Sequence, residues 1–174
     1  TESINLAIKG VAEAAQRNGR AVHIVTSSIE HGAVLDCCRA LEKKGVAVSY
    51  VGVDGEGRVD PQDVARALRQ DTALISVQAA NNETGTLLPV AEIAAIARAR
   101  GVPFHCDATQ AAGKIALDVS EGPDLVSLSA HKMHGPKGAG ALHVRRMKPA
   151  IAIAPLMQGG GQEDGLRPGT LNVP

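Results

Sequence analysis

Residues 89–106, with the sequence PVAEIAAIARARGVPFHC, contain the unit that decides the fold. Residues 89–100 form an alanine-rich stretch that is typical of a helix, and Gly101 is suited to end it. Residues 102–106 follow as a short apolar run, which predicts a buried strand. A helix that leads directly into a buried strand is one half of a βαβ unit.

The same alternation of helix and strand patterns continues along the chain. Further helices are predicted over 3–17 and 31–44 and from Pro61, with Asp60 as the cap; further strands are predicted over 21–25, 46–53, 73–77, 124–128 and 140–144. Such alternation predicts an α/β fold with a mostly parallel, doubly wound sheet and helices on both faces. The loop before 140–144 is too short for a helical crossover, so this last strand is predicted to be antiparallel.

Charge and cysteine content restrict the class of protein. The 174 residues include 18 Lys and Arg and 18 Asp and Glu, and this balance gives no reason to expect nucleic acid or an anionic membrane as a partner. No apolar run is long enough to span a bilayer. The three cysteines, Cys37, Cys38 and Cys106, are odd in number and two are adjacent, which argues against a disulfide framework and favours a reducing, cytoplasmic compartment. Cys37 and Cys38 lie within a predicted helix and are interpreted as core thiols.

Polar residues follow four of the predicted strands at their carboxyl ends. His31, Asn82, Asp107 and Lys132 each follow a different strand, and ligands of such sheets bind outside the carboxyl ends of the strands. Each residue alone has an ordinary structural explanation: His31 as a helix cap, Asn82 and Asp107 as turn formers, and Lys132 as solvated surface. Together they predict a site at one edge of the sheet.

The chemistry of these four residues suits pyridoxal phosphate (PLP). Lysine forms a Schiff base with a carbonyl cofactor, and a buried carboxylate keeps a pyridine nitrogen protonated. An amide bonds a phenolic oxygen, an imidazole stacks on the ring, and hydroxyls with helix N-termini hold a phosphate. Lys132 and Lys137 both lie in the loop 129–138, and spacing alone does not choose between them.

Other kinds of site fit the sequence less well. Residues 135–138 (GPKG) run into a strand and lack the Lys-Ser/Thr pair of a phosphate-binding P-loop. His131, His134 and Cys106 lack the spacing of a metal site, so no metal is expected.

Six segments of the chain resemble the cysteine desulfurases, which are PLP-dependent enzymes of aminotransferase class V and fold type I. In chain order they are 1–7 (TESINLA), 30–31 (EH), 81–85 (NNETG), 105–110 (HCDATQ), 129–138 (SAHKMHGPKG) and 159–170 (GGGQEDGLRPGT). The resemblance implies conversion of L-cysteine to L-alanine, with sulfur passed on as a persulfide for iron–sulfur clusters and thio-cofactors. It also implies a homodimer and a sulfur-acceptor or iron–sulfur scaffold protein as partner. Two alternatives stay open: another class V PLP enzyme such as a selenocysteine lyase, or a non-catalytic remnant of the PLP fold.

The resemblance further implies a role for individual residues. Lys132 would form the Schiff base and move protons at the substrate α-carbon, while His31, the second catalytic residue, would stack on the cofactor ring. Asp107 would pair with the pyridine nitrogen, and Asn82 and Gln110 would contact the phenolic oxygen. The phosphate would be held by a set of hydroxyl and imidazole side chains: Thr1, Ser129 and His131, with Thr170 reaching the phosphate of the other subunit.

The resemblance covers only part of a cysteine desulfurase. Residues 1–174 correspond to the PLP-binding large domain, incomplete at both ends, without the N-terminal segment and the C-terminal small domain. None of the three cysteines matches the cysteine that accepts the sulfur, and the arginine that binds the substrate carboxylate has no counterpart here either. We therefore expect this part to be inactive by itself.

Overall fold

The computed structural model describes residues 1–146 and 150–171. Six strands form one sheet in the order β2-β1-β3-β4-β5-β6. They are β1 (His23–Ser27), β2 (Ala47–Val51), β3 (Thr72–Ser76), β4 (Phe104–Asp107), β5 (Leu125–Ser129) and β6 (Gly140–Val144). The first five strands are parallel and β6 pairs antiparallel with β5. This confirms the predicted mostly parallel sheet with one antiparallel strand.

The described residues contain four α-helices: α1 (Glu2–Arg17), α2 (Gly32–Glu42), α3 (Pro61–Ala67) and α4 (Val90–Arg100). The helix α1 precedes β1, and the other three connect successive parallel strands from β1 to β4. Asp60 caps α3, since its Oδ1 accepts a hydrogen bond of 2.8 Å from the Gln62 N–H. Gly101 ends α4 in the left-handed conformation, with φ of 63°. Among the helices described, none is long and apolar enough to cross a membrane.

The helices cover both faces of the sheet. On one face, α1 and α2 bury Ile8 and Val34 against strand residues that include Ile24, Leu74 and Leu125. On the other face, α3 and α4 bury Val64 and Ile93 in a cluster that includes Val25, Ile75 and Phe104. Because side chains alternate along a strand, neighbouring residues such as Ile24 and Val25 supply the two cores. The predicted doubly wound architecture is confirmed.

The direction in which the chain crosses the sheet reverses between β1 and β3. From β1 the chain passes through α2 to β2 on one side, and from β3 it passes through α4 to β4 on the other. The two helices lie on opposite faces. Their connections therefore diverge at the carboxyl ends of β1 and β3 and leave a crevice there, which is where ligands of such sheets bind.

Several strands begin and end later than the apolar runs predict. The run over 21–25 becomes His23–Ser27, and the run over 102–106 becomes Phe104–Asp107. Buried polar side chains occupy the added positions, and they are satisfied by neighbouring strands. Thr26, for example, donates to the Ser76 carbonyl at 2.8 Å. A search for apolar runs therefore misses the polar carboxyl end of these strands.

The segment after β6 packs closely on α1. The Ala154 N–H donates to the Gly10 carbonyl at 2.9 Å. A Cβ atom on Gly10 would lie 2.5 Å from Ile153 Cγ2 and 2.8 Å from the Ala154 oxygen. Gly10 is therefore in the middle of a helix because its missing side chain lets this segment approach.

Candidate active site

The four polar residues singled out in the sequence follow four strands that are neighbours in the sheet, in the order β1-β3-β4-β5. His31 precedes α2, Asn82 lies in the loop after β3, and Asp107 is the last residue of β4. Lys132 lies in a short 3-10 turn, Ala130–Met133, directly after β5. Because these strands are parallel, all four residues lie at the same edge of the sheet.

Asp107 is the buried member of the set, with 6% of its surface exposed. Its Oδ1 accepts a hydrogen bond of 3.0 Å from the Thr109 N–H, and its carbonyl accepts one of 3.0 Å from the Ala79 N–H of the loop after β3. Among the residues that the structure describes, none donates a hydrogen bond to Oδ2. One carboxylate oxygen is therefore held by the chain, and the other is left for a bound group.

His105 lies on the same face of β4 as Asp107, two residues earlier. Its Nδ1 is 2.9 Å from Ser76 Oγ on β3, and its Nε2 is 2.8 Å from Ser127 Oγ on β5. Burial lowers the pKa of His105 to about 4, against the opposite effect of the Asp107 charge. The imidazole is therefore neutral, so it accepts from one serine and donates to the other. No role was predicted for His105 from the sequence, although its spacing of two from Asp107 in a strand indicates that the two side chains share a face.

His31 is exposed and forms the N-cap of α2. Its Nδ1 accepts a hydrogen bond of 3.1 Å from the Ala33 N–H, which leaves the ring proton of the neutral form on Nε2. This is the ordinary explanation that the sequence suggested for His31. The cap uses one ring nitrogen only, so the face of the imidazole stays free for stacking.

His31 and Thr1 line the same depression, which has a volume of about 460 Å³. Thr1 is the N-cap of α1, so the N-termini of two helices meet here, with Gly32, Ala33 and Asn5 in the wall. The partial positive charges of both helix dipoles favour an anion in this depression.

The loop that carries Lys132 is short and exposed. Ser129 Oγ and His131 Nδ1 lie 2.9 Å apart. The Gly135 N–H donates to the Ala130 carbonyl at 2.9 Å, which closes the turn. Lys132 itself is exposed to solvent in this turn.

The three remaining candidates, Asn82, Gln110 and Thr170, are exposed or half-buried. Asn82 is exposed, and the turn suggested for it is formed by its neighbour Asn81, whose Oδ1 accepts from the N–H groups of Glu83 and Thr84 at 2.8 and 3.0 Å. Gln110 is half-buried, and its Oε1 accepts from Lys114 Nζ at 2.9 Å. Thr170 is exposed.

The segment that carries Thr170 is joined to the N-terminus of α1. Arg167 Nε lies 2.7 Å from Glu2 Oε1, next to Thr1. This ion pair brings the segment to the helix end that lines the depression.

Glu30 is a buried acid beside His31 to which the sequence alone gave no role. It has 4% of its surface exposed, and its Oε1 accepts hydrogen bonds from Ser27 Oγ at 2.5 Å and from the Gln78 N–H at 3.0 Å. Burial raises the pKa of Glu30 to about 8, and the charge of Asp107 acts in the same direction. The one feature of the sequence that could have drawn attention to Glu30 is its position directly before His31 at a strand end.

The three cysteines are buried and free. Burial raises the pKa of Cys37 to about 11 and that of Cys38 to about 12, and it raises the pKa of Cys106 well above the usual value. The prediction that Cys37 and Cys38 are core thiols agrees with this burial. None of the three is activated as a nucleophile.

The sequence profile of the family Aminotransferase class-V matches residues 1–168. The chain belongs to this family. Class V aminotransferases and the cysteine desulfurases among them are PLP-dependent, and the set of residues at this edge of the sheet fits PLP. A buried carboxylate with one free oxygen suits a pyridinium nitrogen, an exposed lysine suits a carbonyl carbon, and a depression at two helix N-termini suits a phosphate.

The relatives of this class V chain are described as cysteine desulfurases. The chain is 55% identical over 175 residues to cysteine desulfurase IscS of Anaeromyxobacter sp. (strain Fw109-5), with 100% of the chain and 43% of the relative covered. It is 50% identical to the mitosomal cysteine desulfurase of Encephalitozoon cuniculi (strain GB-M1), over 100% of the chain and 40% of that relative. The chain therefore spans less than half the length of these curated relatives.

Solved structures of similar proteins have the same fold. SspA in complex with cysteine matches with a TM-score of 0.92 and 44% identity, over 98% of this chain and 49% of that one. DndA from Streptomyces lividans matches with a TM-score of 0.92 and 44% identity, over 98% of this chain and 48% of that one.

Proposed function

We propose that residues 1–174 are the PLP-binding part of a cysteine desulfurase, which converts L-cysteine to L-alanine and passes the sulfur on as a persulfide. The observation that carries the proposal is the buried Asp107 carboxylate, which lies at the centre of four adjacent strand ends with one oxygen free. The names of the relatives and the cysteine bound to SspA support this substrate.

Each residue would hold a different part of the cofactor. Asp107 would pair with the pyridine nitrogen, His31 would stack on the ring, and Asn82 and Gln110 would bond the phenolic oxygen. The phosphate would lie near the N-termini of α1 and α2 and would be held by hydroxyl and imidazole groups: Thr1, Ser129 and His131, with Thr170 serving the partner subunit of a homodimer.

PLP supplies an electron sink for charge that develops at the substrate α-carbon. Lys132 would bind the cofactor and then take and return the proton at that carbon, because it lies in the turn directly after β5 and a primary amine can both form a Schiff base and carry a proton. The Asp107 carboxylate would keep the pyridine nitrogen protonated. The sulfur acceptor would be a thiol other than Cys37, Cys38 and Cys106, because all three are buried with raised pKa values.

The cellular role extends the same proposal. We infer a cytoplasmic homodimer that delivers sulfur to an acceptor or an iron–sulfur scaffold protein. The IscS and mitosomal relatives support the role in sulfur delivery, although the second of them works in an organelle.

The test measures products from L-cysteine with the full-length protein loaded with PLP. With an added thiol reductant that releases the persulfide sulfur as sulfide, we expect equal amounts of alanine and sulfide. We also expect a loss of at least about 100-fold in the variant K132A and near-normal turnover in K137A, which changes the other lysine of the same loop. Turnover of selenocysteine alone would replace the proposal with a selenocysteine lyase. A protein that binds PLP without any turnover would point to a non-catalytic remnant.

A further inference from the structure

Glu30 lies at the point where the chain reverses its direction across the sheet. It follows β1, and its Oε1 accepts hydrogen bonds from Ser27 Oγ at 2.5 Å and from the Gln78 N–H at 3.0 Å. Gln78 follows β3, which is the other strand of the crevice. One carboxyl oxygen therefore joins the two strand ends between which the connections diverge.

The residue before Glu30 strengthens the same junction. The Ile29 carbonyl accepts hydrogen bonds from Gln78 Nε2 at 2.7 Å and from Asn81 Nδ2 at 3.0 Å. Ile29 and Glu30 together thus receive three hydrogen bonds from the segment 78–81, which leads directly to Asn82. On the other side, Glu30 is followed at once by His31.

The junction also reaches the end of β4. The Ala79 N–H, next to Gln78, donates to the Asp107 carbonyl at 3.0 Å. One connected set of hydrogen bonds therefore holds three strand ends, which carry His31, Asn82 and Asp107. A shift of Glu30 would move the first two of these residues relative to the third.

The surroundings of Glu30 suit an uncharged acid. Its Oε2 is buried and has no hydrogen-bond partner among the residues described, so a negative charge there would be uncompensated. Three titratable groups interact electrostatically with Glu30: Asp107 and Cys106 on β4, and Cys38 on α2. All three are acids, and none offsets a negative charge on Glu30.

We propose that Glu30, in its uncharged form, is a positioning residue that sets His31 and Asn82 around the cofactor and leaves Asp107 as the single anion at the ring. This rests on the proposed function, because it assumes PLP at the end of β4. When Glu30 ionises, two carboxylates compete at one buried site, and each disfavours the charge of the other. Cofactor binding then weakens as the pH rises through the pKa of Glu30.

Two variants of Glu30 separate positioning from simple packing. E30Q keeps an oxygen that accepts from Ser27 and Gln78 but cannot ionise, while E30A removes both hydrogen bonds to Oε1 and leaves those to the Ile29 carbonyl. E83Q, which changes an exposed acid in the loop next to Asn82, is the matched control. The dissociation constant of PLP is measured by titrating the apo form of the full-length protein at pH 6.5 and at pH 9.

The proposal predicts a pattern that a purely structural residue would not produce. At pH 6.5, E30Q and E83Q bind PLP like wild type, and E30A binds it roughly tenfold more weakly, as expected for loss of the two hydrogen bonds to Oε1. The dissociation constant of PLP rises between pH 6.5 and pH 9 in wild type and in E83Q, and the factor by which it rises is roughly tenfold larger than in E30Q. Circular dichroism of each variant checks that it is folded.

The role of Glu30 and the proposed function of the protein would fail with different results. If wild type binds no PLP at either pH, the proposed function fails. If wild type binds PLP but E30Q loses affinity in parallel with it as the pH rises, the assignment of Glu30 is overturned and the proposed function stands. If E30A does not fold, the comparison of E30Q with wild type decides alone.

Discussion

His105 and Asp107 lie two residues apart on β4, and their side chains share one face of the sheet. The Ser76 and Ser127 hydroxyls hold the His105 ring from both sides, at 2.9 and 2.8 Å. The strand that ends in Asp107, the candidate pyridine partner, therefore contains a neutral imidazole two residues before it, and this ring is hydrogen-bonded to both neighbouring strands.

The low pKa of His105 makes folding sensitive to acid. In the folded state this pKa is about 4, below the ordinary value of 6.5, so the unfolded chain binds more protons between these two pH values. Stability contributed by neutral His105 is thus present above pH 6.5 and is lost as the pH falls toward 4, by an amount on the order of 3 kcal/mol. The variant H105Q should lose less stability over this range than wild type.

Urea unfolding at several pH values between 7 and 4 measures this difference. The raised pKa of Glu30 has the opposite effect between pH 4.5 and 8, but it is present in both proteins and cancels in the comparison. Parallel stability curves for wild type and H105Q would show that His105 is not held neutral in the folded state.

Substitution of Asp107 tests the partner of the pyridine nitrogen. D107N keeps the shape of the side chain but removes its charge, so turnover of L-cysteine should fall roughly 10- to 100-fold, the value of a hydrogen bond to a charged group. The control D118N changes an exposed aspartate in the loop before β5 and should leave turnover unchanged. Equal rates in D107N and wild type would remove Asp107 from the site.

Gly10 provides a test of packing that is independent of function. In G10A the new Cβ would meet Ile153 Cγ2 at 2.5 Å and the Ala154 oxygen at 2.8 Å. Overpacking of this kind costs about 1–3 kcal/mol, which outweighs the gain of about 1 kcal/mol in helix propensity. We expect a lower unfolding midpoint for G10A but not for G32A, whose new Cβ would meet only Asp36 Oδ2 at 3.8 Å.

The cysteines should be inert in the native protein. Cys37 and Cys38 have 4% and 0% of their surface exposed, and Cys106 has 0%. Iodoacetamide treatment followed by peptide mass spectrometry should find these three thiols unmodified before unfolding and modified in urea. Rapid alkylation of any of them in the native protein would reopen the question of the sulfur acceptor.

The architecture could be predicted from the sequence because the patterns that specify it are local. Asp60 and Gly101 lie where caps and helix ends require them, and the short loop before Gly140 permits only an antiparallel strand. The order of helix and strand patterns was sufficient to place His31, Asn82, Asp107 and Lys132 at the carboxyl ends of strands. These features depend on residues that are close in the chain.

The burial of Glu30 and His105 could not be predicted in the same way. Whether Glu30 is solvated or enclosed depends on β3 lying next to β1, which brings Gln78 to it from 48 residues away. The role of His105 depends on serines from β3 and β5. A polar residue near a strand end has the same local pattern in either environment, so the neighbours that the sheet order supplies decide between them.

The most direct test of the central claim is the position of the lysine that binds PLP. The full-length protein is loaded with PLP, reduced with borohydride and digested, and the peptides are analysed by mass spectrometry. We predict a pyridoxyl group on Lys132 and none on Lys137, five residues further along the same loop. A pyridoxyl group on Lys137, or on no lysine of residues 1–174, would contradict the site described above.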